Sequence, residues 1–361
     1  MMKNMDGRIK KIIICFDNSD LSFVASESAL TLAKAFCSEV IAVHAYNAFM
    51  HEGAFRIMET ILPSEYQRKD IIKKQREVHS SLINVGMEKI SLSYLKSIED
   101  MFRVENISFR SRVKEGKNFK VISEIISDED AELVIIGSSG FNNNGGGYLG
   151  SVCLRVLRNY NSNFLVIKKE LNFKKPRFII CLDGSYSAIN AFRMAKMLAD
   201  KYNAELHLIY AFDSTLHKEI FERLKESLIN KEGFSFNSKK QEMIHDEFID
   251  KGLERVGHMI IDKAEEKVFY DMPAYSMVTS GLGLVGKTEL RQNIKKVLEG
   301  NIYKKICDYA SEINADIIFL GRTGRHFVEG MDLGSVAENI VRFSPCSVFL
   351  AKHEEYKGWV L

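Results

Sequence analysis

Surplus charge is missing from this chain of 361 residues: 50 Lys and Arg stand against 48 Asp and Glu, a net of +2. Such a balance gives no electrostatic case for nucleic acid or an anionic membrane surface as partner. Long apolar runs are missing too, none approaching the ~18 residues that a membrane span needs. The first residues, Met1-Met2-Lys3-Asn4-Met5-Asp6-Gly7-Arg8, lack the apolar core of a signal peptide. Six cysteines occur with no Cys-x-x-Cys pair, so neither a disulfide framework nor a zinc ribbon is indicated. These absences predict a reduced, cytoplasmic protein. Hydrophobic content of 46% and charged content of 27% are those of a globular chain. The length suits two domains of about 150 to 180 residues.

What is present is one unit written twice. The stretch Gly321-Arg322-Thr323-Gly324 is followed by nine residues and then Gly334-Ser335-Val336. Before it, Asp316-Ile317-Ile318-Phe319-Leu320 reads as a buried strand; after it, Val336, Ala337, Ile340 and Val341 recur at helical spacing. Glycines allow positive φ and close approach of backbone to a ligand. The start of a helix offers unpaired N–H groups and the positive end of a dipole, which suits phosphate. Taken alone, this is also what an ordinary strand–turn–helix corner looks like. Yet Ala131-Glu132-Leu133-Val134-Ile135-Ile136 leads into Gly137-Ser138-Ser139-Gly140, again nine residues, then Gly150-Ser151-Val152. The two loops match gap for gap at an offset of 184 (321 against 137).

Upstream, the copies match at an offset of 166. A buried-strand pattern ends at Asp17-Asn18-Ser19 and another at Asp183-Gly184-Ser185. Ala25, Ala29, Leu32 and Ala33 then fall on Ala191, Ala195, Leu198 and Ala199, the small-residue face of a first helix. The same register carries His51, Phe55, Leu62, His79 and Gly86 onto His217, Phe221, Leu228, His245 and Gly252. A long period of this kind marks a duplicated domain. Domains are expected at 1–170 and 171–361, the second with an extra glycine-rich segment near 269–288 that accounts for the change of offset. Third strands are expected at 107–113 and 293–297. A helical excursion is expected over 47–74 and 213–240, covering the ligand or offering a partner surface. Alternating β and α elements with near-continuously apolar strands predict two doubly wound parallel sheets. Ligands then sit at the strand carboxyl ends, at a topological switch point, where Asp17, Asp183 and both glycine loops lie.

These residues resemble the universal stress protein family in its tandem form, whose nucleotide motif is Gly-x2-Gly-x9-Gly-Ser/Thr. The likeness covers about 10–169 and 176–353. It implies two five-stranded, Rossmann-like units of the adenine nucleotide alpha hydrolase-like kind, binding ATP with Mg²⁺ or Mn²⁺. By that resemblance Asp17 and Asp183 approach the ribose and the metal, while the backbone at Ala45 and Ala211 meets adenine. Gly137, Gly140, Gly150, Ser151 and Val152 would hold the phosphates in one unit. Gly321, Arg322, Gly324, Gly334, Ser335 and Val336 would hold them in the other. Where the family often has proline two positions before the aspartate, this chain has Cys15 and Cys181. The resemblance also implies pairing through the last strands, giving an intramolecular pseudo-dimer or a homodimer, and an unknown protein partner. No catalytic set is visible at the loops, so a regulatory or protective protein with at most slow ATP hydrolysis is expected. An ATPase or nucleotide-transferring enzyme, or an interaction module with structural nucleotide, is the alternative.

Other signals carry less. Gly281-Leu282-Gly283-Leu284-Val285-Gly286-Lys287-Thr288 spells a P-loop, but it lies in the extra segment with no sheet of its own to precede it. The repeated histidines are read as surface or helix-packing residues, and Cys15 and Cys181 as small apolar ones. The first loop contains Asn142-Asn143-Asn144-Gly145-Gly146-Gly147 where the second has Arg325 and His326. On charge and loop entropy the second site is expected to bind ATP more tightly.

Overall fold

The computed structural model describes residues 9–140, 149–215, 219, 251–271, 293–325 and 333–353. The chain divides into two compact units between Glu170 and Leu171.

Unit one runs β1 (Lys11–Cys15), α1 (Asp20–Phe36), β2 (Glu39–Tyr46), α2 (Ala48–Glu59), α3 (Lys69–Val104), β3 (Phe109–Glu115), α4 (Asn118–Glu129), β4 (Leu133–Gly137), α5 (Ser151–Asn159) and β5 (Phe164–Ile167). Its strands lie in the order β3-β2-β1-β4-β5, with every pairing parallel. Unit two runs β6 (Arg177–Cys181), α6 (Tyr186–Tyr202), β7 (Glu205–Phe212), α7 (Lys251–Asp271), β8 (Ile294–Glu299), α8 (Ile302–Glu312), β9 (Ile317–Gly321), α9 (Ser335–Phe343) and β10 (Ser347–Ala351). It repeats the arrangement as β8-β7-β6-β9-β10, again all parallel.

Central strands covered on both faces need apolar side chains throughout. Ile12, Ile13 and Ile14 of β1 and Phe178, Ile179 and Ile180 of β6 are accordingly buried. Alanines let the first helix of each unit lie close to the sheet, and Ala25, Ala29, Ala191 and Ala195 have no exposed surface. The outer strands β3 and β8 differ. Phe109-Arg110-Ser111-Arg112-Val113-Lys114-Glu115 alternates and is mostly exposed, the charged edge that discourages further pairing. Arg110 there reaches Glu129 at 2.9 Å and also pairs with Glu39, while Lys114 meets Glu124 at 2.7 Å.

The third strand of unit two lies about where expected, at Ile294–Glu299, whereas that of unit one begins later. Residues 107 and 108 complete the turn out of α3, with Asn106 at φ 55° and the Ile107 N–H donating to the Phe102 carbonyl, so β3 starts at Phe109. The excursion after β2 is helical as expected over 47–74, while nearly all of its counterpart, 213–240, lies outside the described residues. The excursion of unit one is also longer, since α3 continues unbroken for 36 residues. Among the described residues no helix is long and apolar enough to cross a membrane.

Candidate functional site

In each sheet the first strand sends the chain one way and the fourth lies on its other side, so the switch point falls between their carboxyl ends. In unit one a cleft of about 560 Å³ opens there, a volume within the range of small-ligand pockets. Phe16 and Asp17 come from the end of β1, Val43, His44 and Ala45 from β2, and Asn118 and Ile122 from α4. Gly137, Ser139 and Gly140 come from the β4 loop, and Gly150, Ser151 and Val152 from the start of α5. Of the residues named from sequence in unit one, every one lines this cleft. His44, Asn118 and Ile122 were not foreseen. His44 is held by a 2.7 Å contact between Nδ1 and the Phe16 carbonyl and by an edge-on contact with Tyr94.

The acidic residue after the first strand is fixed the same way in both units. The Ser19 N–H donates to Asp17 Oδ1 at 3.1 Å, and the Ser185 N–H to Asp183 Oδ1 at 2.9 Å. The tight turn that permits this puts Asn18 at φ 65° and Gly184 at φ 85°, left-handed values that Asn and Gly tolerate best.

The motif glycines have a different reason to be glycine. Gly150 and Gly334 sit at φ −63° and −65°, open to any residue, so positive φ is not what calls for glycine there. What they lack is space. A Cβ on Gly321 would come within 2.6 Å of Ser187 Oγ, and one on Gly137 within 3.1 Å of Leu21 Cβ, at the first turns of α6 and α1. The second glycine faces the fixed carboxylate, with Gly140 Cβ falling 2.5 Å from Asp17 Oδ2 and Gly324 Cβ 2.8 Å from Asp183 Oδ2. The third lies on the loop backbone, 3.3 Å from the Ser138 carbonyl for Gly150 and from the Arg322 carbonyl for Gly334. Its N–H closes the loop on that same carbonyl, at 2.7 Å in unit one and 3.0 Å in unit two.

Helices α5 and α9 start directly after this contact. Their N-caps are Gly150 and Gly334, and among the described residues neither end receives a side-chain cap. The first intrahelical bonds are Leu154 N–H to Gly150 O at 3.0 Å and Glu338 N–H to Gly334 O at 2.9 Å. The N–H groups of the preceding three residues in each helix therefore have no intrahelical acceptor. In unit one those three residues line the cleft, so an anion there would meet donors that have no acceptor within the helix, and the positive helix end.

The second unit differs in its side chains. Arg322 is 4% exposed and so is buried within the loop base. The Arg325 N–H donates to Asp183 Oδ2 at 3.2 Å, its guanidinium reaches Tyr210 Oη at 3.5 Å, and Thr323 Oγ1 contacts His353 Nδ1 at 2.9 Å. Ala211 is half-buried at the end of β7, as Ala45 is buried near the end of β2.

Among the described residues no group of three His, Cys, Asp or Glu side chains is placed to hold a metal. His79 stacks on Phe55 with ring centroids 4.2 Å apart, a packing role. Burial, with Cys153 and Asp17 nearby, pushes the Cys15 thiol up, and burial raises Cys153 to about 12. Both stay neutral, as small apolar residues would. The P-loop string 281–288, the Asn/Gly run 142–147, His326 and the histidines 217 and 245 lie outside the described residues.

A family model described as "Universal stress protein family" matches residues 8–168 and 286–352, well over half of the chain. A universal stress protein of Methanocaldococcus jannaschii is 25% identical over 174 residues, covering 47% of this chain and 88% of that protein. A Staphylococcus aureus (strain USA300) relative of the same description is 29% identical over 178 residues, covering 49% of this chain and 84% of its own. The crystal structure of a universal stress protein from Archaeoglobus fulgidus superposes with a TM-score of 0.54 at 19% identity. That match covers 95% of this chain and 98% of the other.

Proposed function

The chain belongs to the universal stress protein family, and from that premise we propose that it binds adenine nucleotide, ATP above all, in each of its two units. The observation that carries this reading is the doubled corner. A fixed aspartate, a crowded glycine loop and an uncapped helix start meet at one switch point, in both units. Phosphates would lie against the first turns of α5 and α9 on the N–H groups of Ser151, Val152, Ser335 and Val336. Asp17 and Asp183 would accept from ribose hydroxyls. Adenine would rest near Ala45 and Ala211, against the apolar wall that Val43 and Ile122 provide in unit one.

One carboxylate per site fits a Mg²⁺ or Mn²⁺ ion that takes its remaining ligands from phosphate and water. Such an ion, held by Asp17 or Asp183, would neutralise phosphate charge. The carboxylates themselves position the nucleotide, and no described side chain at the cleft is arranged to activate water. The role this supports is regulatory or protective, in a stress response, with at most slow hydrolysis.

Mass spectrometry of nucleotide released from the purified protein, followed by calorimetric titration with ATP, ADP and GTP, tests the reading. Two binding events with ATP and none with GTP are expected. Absence of adenine nucleotide binding by the folded protein would overturn it. Steady turnover of Mg²⁺-ATP would replace the regulatory role with an enzymatic one.

A further inference from the structure

The outer face of α3 carries an apolar stripe that the nucleotide cleft does not use. Val78, Leu82, Val85 and Leu92 are 45, 66, 48 and 46% exposed. Their spacings of four, three and seven, extended back to the half-exposed Ile71, are those of the seam positions of a coiled coil. Gln75 and Lys89 complete the pattern as its two polar members. The opposite face of the same helix is already covered. Ser91, Leu95, Ile98 and Phe102 are buried, His79 stacks on Phe55, and Arg76 pairs with Glu59 of α2.

The fold does not require the Val85 and Leu92 end of this stripe. Helix α7 of unit two buries the matching row, Gly257, Ile261, Ala264 and Val268. Yet it places exposed Lys251 and His258 where α3 has Val85 and Leu92. The neighbouring charges are retained, Glu254 for Glu88 and Arg255 for Lys89. At these two positions apolar surface has therefore been kept on one copy of the repeated helix and not on the other, while the counterparts of Val78 and Leu82, Ile244 and Phe248, lie outside the described residues.

We propose that this face is a self-association surface on which two copies of the chain dock antiparallel. Leu82 of one copy lies against the partner's Val78, and Gln75 against the partner's Val85. A parallel alignment would set Lys89 on the partner's Lys89 within the seam, a like-charge contact. The antiparallel register removes it and brings Lys74 beside the partner's Glu88. Among the described residues neither Lys74 nor Glu88 holds an ion-pair partner within its own chain. Polar seam residues such as Gln75 specify register at some cost in strength, and the seam spans about 32 Å from Ile71 to Leu92. A contact this small gives a reversible, concentration-dependent dimer.

Sedimentation velocity on the full chain across the micromolar range tests this. The wild type is expected to show a monomer–dimer equilibrium. Leu82→Lys should weaken it about tenfold or more, with helix content and melting temperature retained. Lys74→Glu should weaken it several-fold, and adding Glu88→Lys should restore it to within about twofold. That rescue distinguishes this register from any other apolar contact. A wild type that stays monomeric, a dimer indifferent to Leu82→Lys, or a charge reversal without rescue would each overturn the proposal. Nucleotide titration of the same variants reports separately on the clefts, so the two proposals fail independently.

Discussion

Replacing Gly140 by alanine adds one methyl group, and the structure says what that group meets. Its Cβ would fall 2.5 Å from Asp17 Oδ2, about 1 Å inside ordinary van der Waals contact. The carboxylate cannot simply step aside, because Oδ1 accepts from both the N–H and the hydroxyl of Ser19. Rotating it off its rotamer costs about 0.5–1.5 kcal/mol, and Asp17 is exposed, so freed oxygens are rehydrated. The expected loss of stability is therefore small, about 1 kcal/mol. Binding should lose more. A charged acceptor displaced from its ligand forfeits about 1.5–3 kcal/mol per hydrogen bond, or about ten- to hundredfold in affinity. Calorimetric titration of Gly140→Ala in a Gly334→Val background isolates the first site. Gly86→Ala is the control, since nothing lies within 4 Å of a Cβ there and it sits inside α3, where alanine should gain about 0.5–1 kcal/mol. Unchanged ATP affinity in Gly140→Ala would show that the carboxylate does not touch the ligand.

Gly150→Val and Gly334→Val should each abolish binding at their own site with a melting shift under about 4 °C, read by titration and calorimetry. The clash is with a carbonyl 3.3 Å away rather than with φ. The second site should be the tighter, and Arg325→Ala should weaken it about tenfold, checked by titrating Gly150→Val with and without that change. Glu129 is buried and bonded to Arg110 at 2.9 Å, which holds its carboxyl below the usual range. Its contribution is thus present above a pH of about 4.3 and lost as pH falls through the depressed value. Glu129→Gln should cost about 1 kcal/mol at neutral pH, discounted for the exposure of Arg110, and its melting curve should converge with the wild type in acid.

The doubled corner was legible because its signals are local: a strand, two glycines, a counted gap and a helix start. The left-handed residues could have been read as well, since Asn18, Gly184, Gly116 and Gly300 are residue types that tolerate positive φ. The true constraint on the first two glycines of each motif could not be read. It comes from Asp17, Leu21 and Ser187, over a hundred positions away in the chain, and crowding of that kind is invisible to pattern. His44 escaped for a similar reason, since its neighbour in β2, Ala45, was named by resemblance alone. The length of α3 was hidden by its weak periodicity. The helix buries four residues in its last fourteen and carries its apolar stripe on the outside.

At 36 residues α3 is about 54 Å long, yet its four buried residues all lie from Ser91 onward. The remainder leans on α2 through few contacts, chiefly the Phe55–His79 stack and the Glu59–Arg76 pair. Opening free energies along one helix should therefore fall into two classes. Amides from 91 to 104 should exchange with deuterium only when unit one opens as a whole. Those from 69 to 85 should exchange through a cheaper, local melting of the helical hairpin. Helix content followed by circular dichroism would then begin to fall before tertiary signals from the sheet do, and a single unfolding free energy would not describe the chain.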